Sequence, residues 1–84
     1  MQIEKIKVRL TSTGQEVEVV VYSKRVEAIE VVVGEGTHSV RCTLTPTRTG
    51  FAYAGNVMGR EIVYERSRAA VEADVKRSIA RGGG

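Results

Sequence analysis

The sequence has no tryptophan, one cysteine, one histidine and one proline, and these scarcities exclude several classes of protein. A single cysteine, Cys42, excludes an internal disulfide and every multi-cysteine zinc site, and a single histidine, His38, leaves no histidine-rich metal site. No apolar run approaches the ~20 residues that span a bilayer, and the first five residues lack the basic end and apolar block of a signal peptide. We therefore expect no membrane partner and a location in a reducing cytoplasm.

The composition is that of one small globular domain. Of its 84 residues 42% are hydrophobic, mostly Val and Ile, and 27% are charged. β-Branched residues favour strands, and a chain this short has no room for a second domain. We predict a single α+β domain over residues 1–81 and a flexible glycine tail over residues 82–84.

The charge is unevenly distributed along the chain. Residues 1–35 carry five basic and six acidic groups, a sum of −1, whereas residues 36–84 carry eight basic and four acidic groups, a sum of +4. The excess is mostly arginine, whose guanidinium binds both phosphates and carboxylates through paired hydrogen bonds. This pattern fits a basic binding surface or a solvated surface of mixed sign.

Alternation of apolar and polar residues predicts a series of short strands. Ile6 to Leu10 and Val17 to Val21 alternate on either side of a polar turn, which indicates a β-hairpin. Further strands are predicted from Thr37 to Leu44, from Phe51 toward Gly55 and Asn56, and from Ile62 to Tyr64. Residues 23–34 fit either a third strand or a helix capped by Ser23 and ended by Gly34, and the three consecutive valines favour the strand.

A helix is predicted near the C-terminus, from about Arg68 to Ala80. Ser67 is placed to cap it, and Val71, Val75 and Ile79 recur at helical spacing. The predicted fold is therefore a single small antiparallel or mixed β-sheet packed by a helix, and a β-grasp arrangement is one form of it.

The helix stripe is narrow and covers only one face of such a sheet. Apolar residues on the other face, with arginines of the second half, predict a surface for a protein partner or a second copy of the chain. The candidate residues of this surface are Val20, Tyr22, Val32, Arg41, Arg48 and Arg60, and Val26 lies on the same predicted face.

No set of residues indicates an enzyme or a bound cofactor. Cys42 and His38 lie four residues apart on one predicted strand, about 13 Å from each other, so they do not form a nucleophile and base pair, and both are expected in the core. Glu61 and Glu65 flank a short strand and are expected on a solvated face. The segment from Gly55 to Gly59 lacks the lysine of a phosphate-binding loop and indicates a hairpin turn.

The last four residues, Arg81, Gly82, Gly83 and Gly84, fit either a frayed helix end or a tail that enters a narrow enzyme cleft. With the opening Met1, Gln2 and Ile3, this tail resembles that of ubiquitin-like modifiers. The resemblance implies a β-grasp fold and attachment through Gly84, or through Gly83 after trimming, with Arg81 guiding the tail. It also implies activating and conjugating enzymes and a processing protease as partners.

Two other functions agree with the same residues. A small non-enzymatic binding or inhibitor protein, of the type encoded by phages or mobile elements, would use the exposed valine surface. A nucleic-acid-binding module would use the arginines of the second half, although Glu16 and Glu18 and the scarcity of aromatic residues count against it.

Overall fold

The structure is a computed structural model that describes residues 4–34 and 36–82, with side chains up to Arg77. In chain order its elements are β1 (Lys5–Leu10), β2 (Glu16–Lys24), β3 (Ile29–Val33), a 3₁₀ helix (Gly36–His38), β4 (Val40–Pro46), β5 (Tyr53–Val57), β6 (Arg60–Tyr64) and α1 (Arg68–Gly82). The predicted first hairpin is confirmed. Residues 29–33 form a strand, so the strand interpretation of the middle segment is also confirmed.

The six strands form one closed antiparallel barrel in which each strand pairs with the next along the chain. The barrel closes where β1 meets β6, with Arg9 opposite Val63 and Leu10 opposite Ile62. The predicted single sheet packed by a helix, with its β-grasp form, is therefore wrong. Alternating strands bury one face both in an open sheet and in a closed barrel, so alternation does not distinguish the two. Closure has the further effect of pairing the backbone groups of the two edge strands.

The inward side chains change in size along the barrel axis. Ile29, Leu44 and Tyr53 are fully buried at the end reached by the β2–β3 and β4–β5 connections. The Tyr53 hydroxyl donates a hydrogen bond of 2.7 Å to the Val26 carbonyl there. At the other end the inward residues are mainly valines, which leave more space between the strands.

Helix α1 closes the end that holds the large side chains. Ser67 caps it as predicted, because its Oγ accepts a hydrogen bond of 3.1 Å from the Ala70 amide. Val71 is fully buried in the barrel core, and the Arg68 amide donates a hydrogen bond to the carbonyl of Gly50 in the β4–β5 connection. The helix thus covers one end of a barrel instead of one face of a sheet.

The connection between β3 and β4 differs from the sequence prediction. His38 lies in the 3₁₀ helix and is exposed, so its predicted place in the core, on the same strand face as Cys42, is wrong. Gly34 and Gly36 have φ angles of 93° and 58°, which turn the chain away from the strand direction before β4 begins at Val40. Cys42 is buried as predicted.

Candidate binding surfaces

Apolar side chains form a row on the outside of the barrel across β2, β3 and β4. Val20 on β2 pairs with Val32 on β3, and Val32 pairs with Arg41 on β4. Paired residues of antiparallel strands project from the same face of the sheet, so all three share the outer surface. Val20 and Val32 are half-buried. The row is part of the surface predicted from sequence.

Tyr22 lies beside this row at an irregularity of β2. The register shifts between Val21 and Ser23, so Tyr22 has no Cα partner on β3, and its side chain is 61% exposed. The guanidinium carbon of Arg41 lies 4.1 Å from the centroid of the Tyr22 ring. This cation–π contact holds two long side chains in one orientation across β3. We call Val20, Tyr22, Val32 and Arg41 the outer patch.

The other two residues of the predicted surface lie elsewhere. Arg48 lies in the β4–β5 connection, at the end of the barrel covered by α1. Arg60 begins β6 at the opposite end, where it pairs with Val57. Sequence reasoning therefore grouped six residues of which the structure brings four together, because β2, β3 and β4 are adjacent while Arg48 and Arg60 lie at opposite ends of the barrel.

The end of the barrel opposite the helix holds an apolar cavity of about 410 Å³. We call it the barrel mouth. Its lining residues are Val8, Leu10, Val17, Val19, Val33, Val57, Met58, Arg60 and Ile62. Sequence reasoning missed this site, although the predominance of valine over larger residues among the inward positions of the strands was a usable signal.

A cluster of charges joins α1 to the barrel. The Asp74 carboxylate accepts hydrogen bonds of 2.6 and 2.7 Å from Arg66 and lies 3.8 Å from the Lys24 ammonium, which also pairs with Glu4. The hydrogen bonds from Arg66 lower the pKa of Asp74, and the nearby charges of Lys24 and Arg77 act in the same direction. Several cations of this basic chain are thus engaged in holding the helix.

The remaining candidate residues lie on different strands or connections and on different faces of the barrel. Burial raises the pKa of the Cys42 thiol, which donates a weak hydrogen bond of 3.4 Å to the Asn56 carbonyl. Glu61 and Glu65 are both exposed, and Glu65 accepts a hydrogen bond from Arg9. Across the side chains that the structure describes, no three His, Cys, Asp or Glu residues converge in a group that could hold a metal ion.

The sequence predicted a helix up to about Ala80 and a glycine tail over residues 82–84. The backbone of α1 extends to Gly82, whereas the Arg81 side chain, Gly83 and Gly84 lie outside the described part of the chain.

In residues 4–34 and 36–82 no helix has the length and apolar character needed to cross a membrane. Comparisons of the chain with models of known protein families, with curated proteins and with solved structures gave no match.

Proposed function

We propose that this chain is a small non-enzymatic protein-binding module that binds its partner through the outer patch. The observation that carries the proposal is the stack of Arg41 on the exposed Tyr22 ring, beside the Val20–Val32 row. Tyrosine and arginine are enriched among the residues that dominate binding energy at protein interfaces. Because the stack already restrains both side chains, little conformational entropy is lost when a partner binds them.

The charges around the outer patch define the chemistry of the partner. Among the side chains described, Arg41 has no ion pair, whereas Lys5 pairs with Glu18 and Lys24 pairs with Glu4 and Asp74. Arg41, which belongs to the outer patch itself, is therefore available to an incoming carboxylate. The expected partner surface presents an apolar side chain for Tyr22 and the valines, with a carboxylate beside it.

The same surroundings disfavour nucleic acid at this surface. Glu16 and Glu18 on β2 and Glu30 on β3 extend the outer face around the patch, and carboxylates repel a phosphate backbone. Tyr22 is one aromatic side chain, whereas single-stranded nucleic acids are held by several stacking residues. A protein partner needs only one carboxylate at Arg41, whereas a nucleic acid carries a phosphate at every nucleotide and would also meet the surrounding glutamates.

The modifier function stays a prediction. The β-grasp fold that the resemblance implied is wrong, because the strands form a closed barrel. What still supports the modifier function is the resemblance of Arg81, Gly82, Gly83 and Gly84 to a modifier tail. The reducing cytoplasm inferred from the single cysteine is the setting that we propose for the binding function.

Variants of the outer patch test the proposal. The immobilised chain is exposed to a lysate of its source organism, and proteins retained by the wild type are compared with those retained by a Tyr22→Ala, Arg41→Gln double variant. Glu61→Ala on β6, across the barrel from β3, is the matched control. A partner found in this way is purified, and its affinity is measured by titration calorimetry.

We expect Tyr22→Ala to weaken the purified complex about 30-fold, as is typical of a central interface tyrosine, and Glu61→Ala to leave it within about twofold. The proposal is wrong if every retained protein binds the double variant as well as the wild type. If the protein captured from the lysate is a second copy of this chain, and its capture depends on Tyr22, the outer patch mediates self-association and the proposal of a different protein partner is wrong.

A further inference from the structure

The barrel mouth is a cavity lined by side chains of β1, β2, β3, β5 and β6 and of the β5–β6 turn. Its floor includes Val8 and Ile62, which are 1% and 2% exposed, and its walls include the half-buried Leu10, Val17 and Val33. Its volume of about 410 Å³ lies in the range of small-molecule sites, which are concave and mainly apolar with few polar groups. A cavity with such walls favours an aliphatic group over water.

Arg60 supplies the polar group at this cavity. It pairs with the inward-facing Val57, lines the mouth and is exposed at its rim. No carboxylate among the described side chains forms an ion pair with Arg60. A guanidinium at the edge of an apolar cavity can bind a carboxylate through paired hydrogen bonds while the ligand's apolar part enters the cavity.

Met58 provides a second, independent observation at the same rim. It is 80% exposed and has a φ angle of 52°, and Gly59 after it has a φ angle of 76°. Two positive φ angles define the tight hairpin turn that favours asparagine followed by glycine, so a large apolar side chain is an unfavourable choice here. Strained and exposed apolar residues of this kind cluster at ligand-binding sites, where contact with the ligand offsets their cost.

We propose that the barrel mouth binds a linear aliphatic carboxylate, with the chain of the ligand among the valines and its carboxylate on Arg60. Met58 covers the apolar chain from the side. This site lies at the end of the barrel away from α1 and is separate from the outer patch. It extends the proposed function, because a chain with such a site binds a small amphiphile as well as a protein.

Decanoate and its uncharged counterpart decanol test the site by titration of backbone amide NMR signals. We expect saturable binding of decanoate, with the largest shifts at Val17, Val33 and Arg60. Arg60→Gln is expected to weaken decanoate binding about tenfold or more and decanol binding by less than about twofold, because only the carboxylate loses its charged partner. Arg48→Gln, at the other end of the barrel, is the control and is expected to change neither.

Two further variants keep the test independent of stability. Met58→Asn is expected to keep or raise the melting temperature, since asparagine suits the turn, and to weaken decanoate binding. Val17→Phe fills the cavity, and its unfolding transition shows whether it folds. The proposal is overturned if decanoate does not saturate below about 1 mM, if Arg60→Gln affects both ligands equally, or if a folded Val17→Phe binds as the wild type does.

Discussion

Replacing Asp74 with asparagine tests how helix α1 is held on the barrel. The Asp74 side chain is 15% exposed, accepts two hydrogen bonds from Arg66 and lies near Lys24. Asparagine keeps the shape of the side chain but removes its charge, so Arg66 and Lys24 lose their common partner. The fully buried Val71 keeps the helix in contact with the core, so we expect a weakened helix and not an unfolded chain.

The size of the effect follows from the exposure of the partners. A hydrogen bond to a charged group contributes about 1.5–3 kcal/mol, but the Arg66 side chain is 39% exposed, so solvent screens the pair. We expect Asp74→Asn to cost about 1.5 kcal/mol, which lowers the melting temperature of a domain this size by roughly 6–12 °C. Glu72→Gln, which removes the exposed Glu72–Lys76 pair on the same helix, should cost at most about 0.5 kcal/mol.

The pH dependence separates the charge from the shape of the side chain. Because the hydrogen bonds from Arg66 lower the pKa of Asp74 below its ordinary value of 3.8, its contribution is fully present above that value and is lost as the pH falls through the depressed pKa. Thermal unfolding followed by circular dichroism should therefore show a gap between wild type and Asp74→Asn at neutral pH that narrows toward about pH 2. A gap that is constant with pH, or an equal effect of Glu72→Gln, would refute this reasoning.

Three other predictions test the barrel, its thiol and the tail. An added Cβ at Gly55 would lie 2.5 Å from the Thr43 carbonyl oxygen, so Gly55→Ala should lower the free energy of unfolding, measured by chemical denaturation, by about 3 kcal/mol. Gly14→Ala strains the backbone but places its Cβ in open space, so it should cost about 1 kcal/mol. Equal costs for the two variants would contradict the close approach of β4 to β5 at Gly55. Cys42 is buried with a raised pKa, so a thiol reagent should modify it at least about a hundredfold more slowly in native buffer than in denaturant, and rapid native labelling would disprove its burial. Deleting residues 82–84 should leave the melting temperature within about 2 °C and abolish covalent attachment to other proteins, and conjugates of unchanged intensity on a gel would exclude the modifier function.

The sequence predicted what depends on local pattern. Alternation placed the first hairpin and the strand over residues 29–33, and Ser67 marked the start of α1, because strand periodicity and helix capping involve residues close in the chain. Barrel closure escaped prediction because the contact of Leu10 with Ile62 joins the two ends of the meander and leaves no periodic signal. His38 was misplaced because its alternation with Val40 continues the strand pattern through a 3₁₀ turn set by glycines.

The candidate sites also differ in how far local sequence pattern could predict them. Val20, Tyr22 and Val32 could be grouped from sequence because they lie on neighbouring strands of a meander. Arg48 and Arg60 share composition with Arg41 but belong to opposite ends of the barrel, and charge counts carry no such positional information. The valines at inward positions were a signal for the barrel mouth, but they indicate a cavity only when the strands are known to close into a barrel.

Photocrosslinking from a single position tests the central claim, that the outer patch contacts a protein partner, most directly. A photoreactive phenylalanine analogue replaces Tyr22 in one variant of the chain and Glu61, on the outside of β6 and across the barrel from the β3 part of the outer patch, in another. The account predicts a crosslinked product with a distinct protein from position 22 and none from position 61, analysed by mass spectrometry. Equal crosslinking from both positions, or from position 61 alone, would contradict it.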